Sequence, residues 1–204
     1  MGTLDTLAGG GSTLKDVPRK VSGVDVVPYT ADLDPQADKF LPWMWNKLKE
    51  DGLVELYFPG QSEFGFANFV KMFSSNDTKV LLVVTKDAEG KFDQAVGFAT
   101  WQPMPLGATN AAMVGFVFLK DFWDRHVSVE AAQSIMRYWF DTSHIDVTVG
   151  AVAADNHLAQ RFLLRIGWEK VGVLPAMHQY EGKQSDATLW CMTRQRFFGV
   201  QERD

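Results

Sequence analysis

The sequence predicts one α/β domain that follows a glycine-rich leader. Strand-like and helix-like segments alternate from residue 24 onward, which is typical of a sheet covered by helices. Neither a repeat nor a second region of different composition interrupts that order. The 204 residues are 46% hydrophobic and 22% charged, values that are usual for a soluble domain with one core. We therefore expect a leader at 1–23, the folded domain at 24–198 and a short tail at 199–204.

Short runs of β-branched and apolar residues, bounded by turn-forming residues, predict the strands. They lie at 24–27, 80–85, 95–101, 112–119, 147–153, 168–173 and 187–193. We expect Pro28 to end the first strand. A short glycine-containing loop joins the second and third strands, which predicts a hairpin. The fourth strand is almost continuously apolar, so we place it at the centre of the sheet.

Apolar residues that recur at helical spacing predict four helices. These helices begin near Asp34, Ser62, Ser128 and Asn156. Pro42 is expected to kink or restart the first helix. Asn156 is expected to cap the last one, and Gly167 to end it in the left-handed conformation that glycine tolerates.

Charge and cysteine content exclude several classes of function. With 20 Lys and Arg against 25 Asp and Glu, the net charge is −5, and no basic surface is expected for nucleic acid. Cys191, the single cysteine, cannot form an internal disulfide, so a cytoplasmic location is expected. No apolar run approaches the roughly 20 residues that span a bilayer, and the four histidines lack metal-binding spacing. We therefore predict no nucleic-acid, membrane or metal partner.

Two segments of the chain carry a family signature. Segment 122–131 reads FWDRHVSVEA, with an aromatic pair before a loop and Glu-Ala at the start of a helix. Segment 156–168 begins with Asn156 and ends with Gly167-Trp168. These segments, and the order of elements, resemble the GCN5-related N-acetyltransferase (GNAT) superfamily, most closely its branch that acetylates ribosomal-protein N-termini. The resemblance implies a mixed, mostly antiparallel sheet flanked by about four helices.

The resemblance also implies a cofactor, acetyl-CoA, and a place for it between the strands at 112–119 and 147–153. In this family, backbone N–H groups at a helix N-terminus hold the pyrophosphate, because unpaired donors and the helix dipole favour an anion there. A backbone N–H of the central strand holds the thioester carbonyl oxygen. The corresponding residues are Val117 or Phe118 for the carbonyl, Arg125, His126, Val127 and Ser128 for the pyrophosphate, and Asn156 for the pantetheine.

The predicted pyrophosphate loop departs from the family pattern at two glycine positions. Asp124 and His126 stand where the family has glycines that let the backbone approach the phosphates. A carboxylate about 5 Å from a phosphate would cost about 3 kcal/mol at an effective dielectric constant near 20. Arg125 or a protonated His126 would offset this repulsion.

The catalytic acid of the family is also missing. Leu163 stands where many members have the tyrosine that protonates the leaving thiolate, and Ala159 stands where another branch would need a serine. We therefore expect proton transfer to come from the loop between the last two strands, which lines the acceptor side in the family. The candidates in this loop are His178, Tyr180 and Glu181.

Each of these residues also has an explanation that needs no ligand. Asn156 serves equally well as a plain helix cap, and His126 as a surface residue. Arg161 and Arg165, four residues apart, are also typical of a solvated helix face. The residues near His178 are also typical of an ordinary polar loop.

Two functions from different classes remain open. The first is an N-acyltransferase that moves an acetyl group to an amine on a protein or a small molecule. The second is a catalytically inactive GNAT-like structural or interaction protein, for example a tailed-phage virion or assembly component. The lost glycines, Leu163 and the seven tryptophans favour the second function. In that case the leader would mediate homo- or hetero-oligomer formation, and the location would be the virion.

Overall fold

The residues that the structure describes form seven strands and six α-helices. The computed structural model describes residues 23–29, 37–58, 65–75, 77–86, 89, 92–106, 109–123, 126–180 and 183–201. In chain order the elements are β1 (Val24–Tyr29), α1 (Ala37–Glu50), α2 (Val54–Tyr57), α3 (Phe66–Phe73), β2 (Lys79–Lys86), β3 (Phe92–Leu106), β4 (Thr109–Phe118), a 3₁₀ turn (Lys120–Phe122), α4 (His126–Thr142), β5 (Val147–Ala153), α5 (His157–Arg165), β6 (Glu169–Tyr180), β7 (Lys183–Thr193) and α6 (Arg194–Gln201). The predicted leader, apart from Gly23, lies outside the described residues.

The strands form one mixed sheet in the order β1-β2-β3-β4-β5-β7-β6. Neighbouring strands are antiparallel except β4 and β5, which are parallel. The strand with the continuous apolar sequence, β4, occupies the centre, as predicted. The predicted α/β class with a mixed, mostly antiparallel sheet is therefore confirmed.

Helices pack on both faces of the sheet. On one face, which we call the α1/α3 face, the rings of Phe98 in β3 and Phe69 in α3 lie 5.9 Å apart. On the other, the α4/α5 face, Phe116 of β4 lies 6.0 Å from Trp139 of α4 and 6.3 Å from Phe162 of α5. Side chains alternate along a strand, so even-numbered residues of β4 lie on the α4/α5 face and odd-numbered residues on the α1/α3 face.

β4 and β5 are paired only near their first residues. The pairs are Ala111 with Val147, Ala112 with Thr148, and Met113 with Val149. Beyond this point β4 stays paired with β3 as far as Phe118, and β5 stays paired with β7 as far as Ala153. The two strands therefore part and leave a gap in the middle of the sheet, as the resemblance implied.

The helices differ from the prediction at four places. α1 runs through Pro42 without a break, although a proline inside a helix removes one main-chain hydrogen bond. α4 begins at His126, two residues before the expected Ser128. The four-residue α2 is too short to show a helical period, and in α6 the neighbouring Phe197 and Phe198 obscure one. The boundary expected at residue 198 falls inside α6.

Several strands, among them β1, β6 and β7, are longer than predicted. β1 continues through Pro28 to Tyr29. This is possible because β1 is an edge strand, where a residue without an N–H can face away from its partner. Both strands of the last hairpin extend into the segment that was expected to be a loop. β6 continues seven residues farther, to Tyr180, and β7 begins four residues earlier, at Lys183.

Candidate functional site

The hydrogen-bond ladder determines which backbone groups line the gap. In an antiparallel pair, successive residues direct their N–H and C=O groups alternately to the two sides. The N–H of Leu119 donates to the C=O of Val96 in β3 at 2.9 Å. The backbone of Val117, two residues earlier, therefore also faces β3, whereas that of Phe116 and Phe118 faces the gap. Of the two N–H groups expected to hold a carbonyl oxygen, only that of Phe118 lies on the gap side.

Two side chains take the place of a strand beside Phe118. Its N–H donates to the Tyr57 hydroxyl at 3.3 Å, and that hydroxyl lies 3.4 Å from its carbonyl oxygen. Nε1 of Trp123 donates to the same carbonyl at 2.7 Å. We call Tyr57 and Trp123 the Phe118 cap. Phe116 lies beyond the last pair between β4 and β5, so among the described residues no strand stands opposite its gap-facing N–H and C=O.

Burial raises the pKa of Tyr57 to about 12. Tyr57 keeps some exposed surface, but its hydroxyl lies deep in the protein, where the phenolate would lose its hydration. The hydrogen bonds to Phe118 and Trp123 lower the pKa, but this effect is smaller than that of burial. The hydroxyl is therefore protonated at neutral pH and interacts with Phe118 as a neutral group.

Aromatic rings close the gap on the α4/α5 face. The ring of Phe162 lies 5.7 Å from that of Phe118, and the ring of Trp168 lies 6.0 Å from that of Phe116. A Cβ atom at Gly150 would lie 3.3 Å from the Trp168 ring, so the missing side chain leaves room for the indole. This face of the gap is an apolar wall.

Small residues border the gap on the α1/α3 face. Gly115 of β4 is on this face, and so are Ala151 and Ala153 of β5, because Val149 pairs with Met113. Ala151 is exposed and Ala153 is buried. A molecule in the gap would therefore be accessible from the α1/α3 face and shielded on the opposite one.

The first turn of α4 holds several of the expected pyrophosphate ligands. His126 is exposed, while Val127 and Ser128 are buried within the helix. The guanidinium of Arg165, at the end of α5, lies 3.4 Å from Nδ1 of His126. Arg165 therefore brings a positive charge to the N-terminus of α4. Asp124 and Arg125 lie outside the described residues.

Asn156 caps α5 as predicted. Its Oδ1 accepts a hydrogen bond from the N–H of Ala159 at 3.0 Å, which satisfies one of the unpaired donors of the first turn. Gly167, with φ at +86°, ends the helix in the predicted conformation. The cap explains Asn156 without a ligand, and its role toward pantetheine stays a prediction.

The three acid–base candidates were expected to lie in a loop, but two of them lie in a strand. His178 and Tyr180 belong to strand β6, because the hairpin continues past Val173, and Glu181 lies outside the described residues. His178 pairs with Ser185 of β7.

The described His, Cys, Asp and Glu side chains contain no group of three that could hold a metal ion.

Sequence reasoning missed several groups near the gap. Tyr57 lies in a helix of four residues that shows no periodic signal. Arg165 was considered only together with Arg161, although its contact is with His126 on another helix. Ser185 has no local motif, and only the strand register places it opposite His178.

No helix in the described part of the chain is long and apolar enough to cross a membrane.

The architecture is similar to that of several solved acetyltransferases. RimL, a ribosomal L7/L12 α-N-protein acetyltransferase in complex with coenzyme A, is 13% identical with a TM-score of 0.65, over 84% of this chain and 94% of RimL. Mycobacterium smegmatis RimJ, in complex with a CoA-disulfide, is 16% identical with a TM-score of 0.65, over 84% and 82%. Vibrio cholerae spermidine N-acetyltransferase, in complex with CoA and spermine, is 13% identical with a TM-score of 0.67, over 87% and 99%.

At these identities the likeness is one of fold. None of the three structures is a virion component, so the virion alternative gains no support from them. A comparison with curated proteins found no match. Residues 19–169, however, match the acetyltransferase (GNAT) domain family, which covers most of the chain, including the strands that border the gap. The chain belongs to the GNAT acetyltransferase family.

Proposed function

We propose that this protein transfers an acetyl group from acetyl-CoA to an amine. The observation that carries the proposal is the parting of β4 and β5, which leaves the backbone of Phe116 facing a gap with no described strand opposite it. Backbone N–H groups in such a place hold a carbonyl oxygen as negative charge develops on it. The fold similarity to acetyltransferases solved with CoA supports the same assignment.

The residues around the gap fit the parts of acetyl-CoA. The pyrophosphate would lie at the first turn of α4, where the helix dipole, His126 and the Arg165 guanidinium favour an anion. The pantetheine would lie in the gap, against the apolar wall of Phe116, Phe162 and Trp168. Acetyl-CoA supplies an activated thioester, and the protein holds and orients it.

Catalysis would rest on orientation and on one hydrogen bond to the thioester. The N–H of Phe116, which faces the gap, would donate to the carbonyl oxygen, a role expected from sequence for Val117 or Phe118. The amine would approach over Gly115 and Ala151 on the α1/α3 face. A group on the β6–β7 hairpin would accept the amine proton, with His178, Tyr180 and Glu181 as candidates.

A second candidate function is that of a GNAT-like interaction protein that does not catalyse acetyl transfer. The Phe118 cap favours it, because Tyr57 and Trp123 occupy one of the two gap-facing backbone positions at the end of β4. In that case the cap would be permanent and the gap would not accept an extended ligand.

Calorimetry with acetyl-CoA distinguishes the two functions. The enzyme binds acetyl-CoA with measurable heat and a raised melting temperature. Arg165→Glu is expected to weaken binding at least about tenfold, because it reverses a charge beside the pyrophosphate. Arg161→Glu is the matched control on the same helix and is expected to bind like the wild type. Absence of both heat and thermal shift at millimolar acetyl-CoA would refute the enzyme.

A further inference from the structure

We propose that Nδ1 of His178 and Oγ of Ser185 together bind and deprotonate the acceptor, a primary amine. The inference rests on the proposed acetyl transfer and adds the group that recognises the second substrate. It follows from three features of the β6–β7 hairpin: two polar atoms that have no partner among the described residues, a register irregularity beside them, and the position of Ser185 relative to the gap.

The two polar atoms are buried and lack hydrogen bonds to the described part of the chain. Nδ1 of His178 and Oγ of Ser185 are closed off from solvent, and no hydrogen-bond partner for either lies among the described residues. The two residues are directly opposite in the antiparallel pair, so their side chains are neighbours on one face of the sheet. Buried polar atoms normally have partners, and two adjacent exceptions indicate a ligand that supplies the missing hydrogen bonds.

An irregularity in β6 brings His178 opposite Ser185. Between the pairs Leu174–Ala187 and His178–Ser185, β6 advances by four residues and β7 by two. Ala176, inside this bulge, has φ at +51°, a conformation that residues other than glycine rarely adopt. Its N–H donates to Oδ1 of Asp186 at 3.0 Å, which holds the strained backbone in place. Bulges of this kind reorient side chains beside functional sites.

Ser185 lies beyond the end of β5 on the neighbouring strand β7, and His178 lies opposite it on β6. Ala187 is paired with Ala153, the last residue of β5, and Ser185 follows two positions farther along β7. Ser185 is therefore about 7 Å beyond the end of β5 at the usual rise of a strand. It shares the α1/α3 face with Ala151 and Gly115, the face from which a molecule in the gap is accessible.

The chemistry of the pair suits an amine. A neutral imidazole with its proton on Nε2 accepts at Nδ1, and a hydroxyl oxygen accepts as well, so the pair matches a group with several N–H donors. Nδ1 takes one proton from the ammonium form of the amine. The nitrogen lone pair then forms the N–C bond while the C–S bond breaks and its electron pair leaves with sulfur. The thiolate takes up the second proton that nitrogen releases, which yields the amide and the free thiol.

The test uses methylammonium, the simplest primary amine, with full-length protein saturated with CoA. The ring signals of His178, identified by His178→Gln, are followed by NMR as methylammonium is added. We expect these signals to shift in the wild type, and Ser185→Ala to weaken the apparent affinity about tenfold, as expected for a lost hydrogen bond. Gln184→Ala is the control, because Gln184 is exposed and next to Ser185 on the opposite face. It is expected to behave like the wild type.

Kinetics with acetyl-CoA and the same amine provide the second readout. His178→Gln is expected to lower kcat at least about 100-fold, the usual effect of removing a general base, and Ser185→Ala to raise the KM for the amine. Asp186→Ala releases the bulge and should reduce kcat, and Asp186→Asn, which keeps the acceptor oxygen, should restore it. Unchanged ring signals, or equal kinetics in wild type and Ser185→Ala, would overturn the amine site. The acetyl-CoA calorimetry described above tests the transferase separately, so the two failures are distinguishable.

Discussion

Nε1 of Trp123 donates a 2.7 Å hydrogen bond back to the carbonyl oxygen of Phe118, five residues earlier in the chain. β4 ends at Phe118, where the chain turns through a 3₁₀ segment toward α4. The indole therefore supplies this carbonyl with a hydrogen bond that β5 does not provide, because β5 has diverged from β4 at this point. The Tyr57 hydroxyl contacts the backbone of the same residue, Phe118. Together the two side chains close one end of the gap, and the backbone N–H and C=O of Phe116 remain directed into it.

Removal of the indole donor should destabilise the end of β4. Trp123→Phe keeps an aromatic ring but leaves the Phe118 carbonyl with only the longer contact to Tyr57. We expect the free energy of unfolding to fall by about 0.5–1.5 kcal/mol, the usual net contribution of one hydrogen bond. Urea denaturation measures it, and Trp43→Phe is the control, because Trp43 is 38% exposed. Equal stability of the two variants would show that the hydrogen bond is dispensable.

The raised pKa of Tyr57 predicts a loss of stability at alkaline pH. A tyrosine hydroxyl ordinarily has a pKa of 10.0, and in the folded protein the pKa of Tyr57 is about 12. The neutral hydroxyl therefore stabilises the fold fully below pH 10, and this contribution is lost as the pH rises from 10 toward 12. A difference of this size corresponds to about 3 kcal/mol. The measurement is the free energy of unfolding across this range in wild type and Tyr57→Phe. The wild type should show the steeper decline, and parallel curves would contradict the assignment.

Gly97 should tolerate no side chain. A Cβ at this position would overlap the carbonyl oxygen of Val117 on the neighbouring strand β4. Gly97→Ala must therefore move β3 away from β4, and we expect a loss of more than about 3 kcal/mol in the free energy of unfolding. Gly172→Ala is the control, since nothing lies within 4 Å of a Cβ there. Comparable melting temperatures for the two variants would mean that the strands are not held this closely.

Cys191 should react slowly with alkylating reagents. Burial raises the pKa of its thiol, Glu169 raises it further, and Arg196 acts in the opposite direction. Since the thiolate is the reactive form, we expect iodoacetamide to modify Cys191 several-fold more slowly than glutathione at pH 8. Glu169→Gln removes the nearby negative charge and should accelerate the reaction. A wild-type rate equal to or above that of glutathione would contradict this account.

Local pattern predicted most of the fold. Hydrophobic periodicity and turn residues located all seven strands and four of the six described helices, because these signals arise within a few neighbouring residues. The Asn156 cap and the left-handed Gly167 were also predictable, since each depends on its own helix end. The short α2 could not be predicted, because four residues carry no period.

What the sequence determined by itself was the order of elements, the apolar central strand and the resemblance to one family of acetyltransferases. Only the tertiary structure decided which side chains meet at the gap. Tyr57 reaches Phe118 across 61 positions of the chain, and Arg165 reaches His126 across 39. Such contacts depend on strand register and helix packing, which no local pattern encodes. The same holds for His178 and Ser185, which only a bulge in β6 brings face to face.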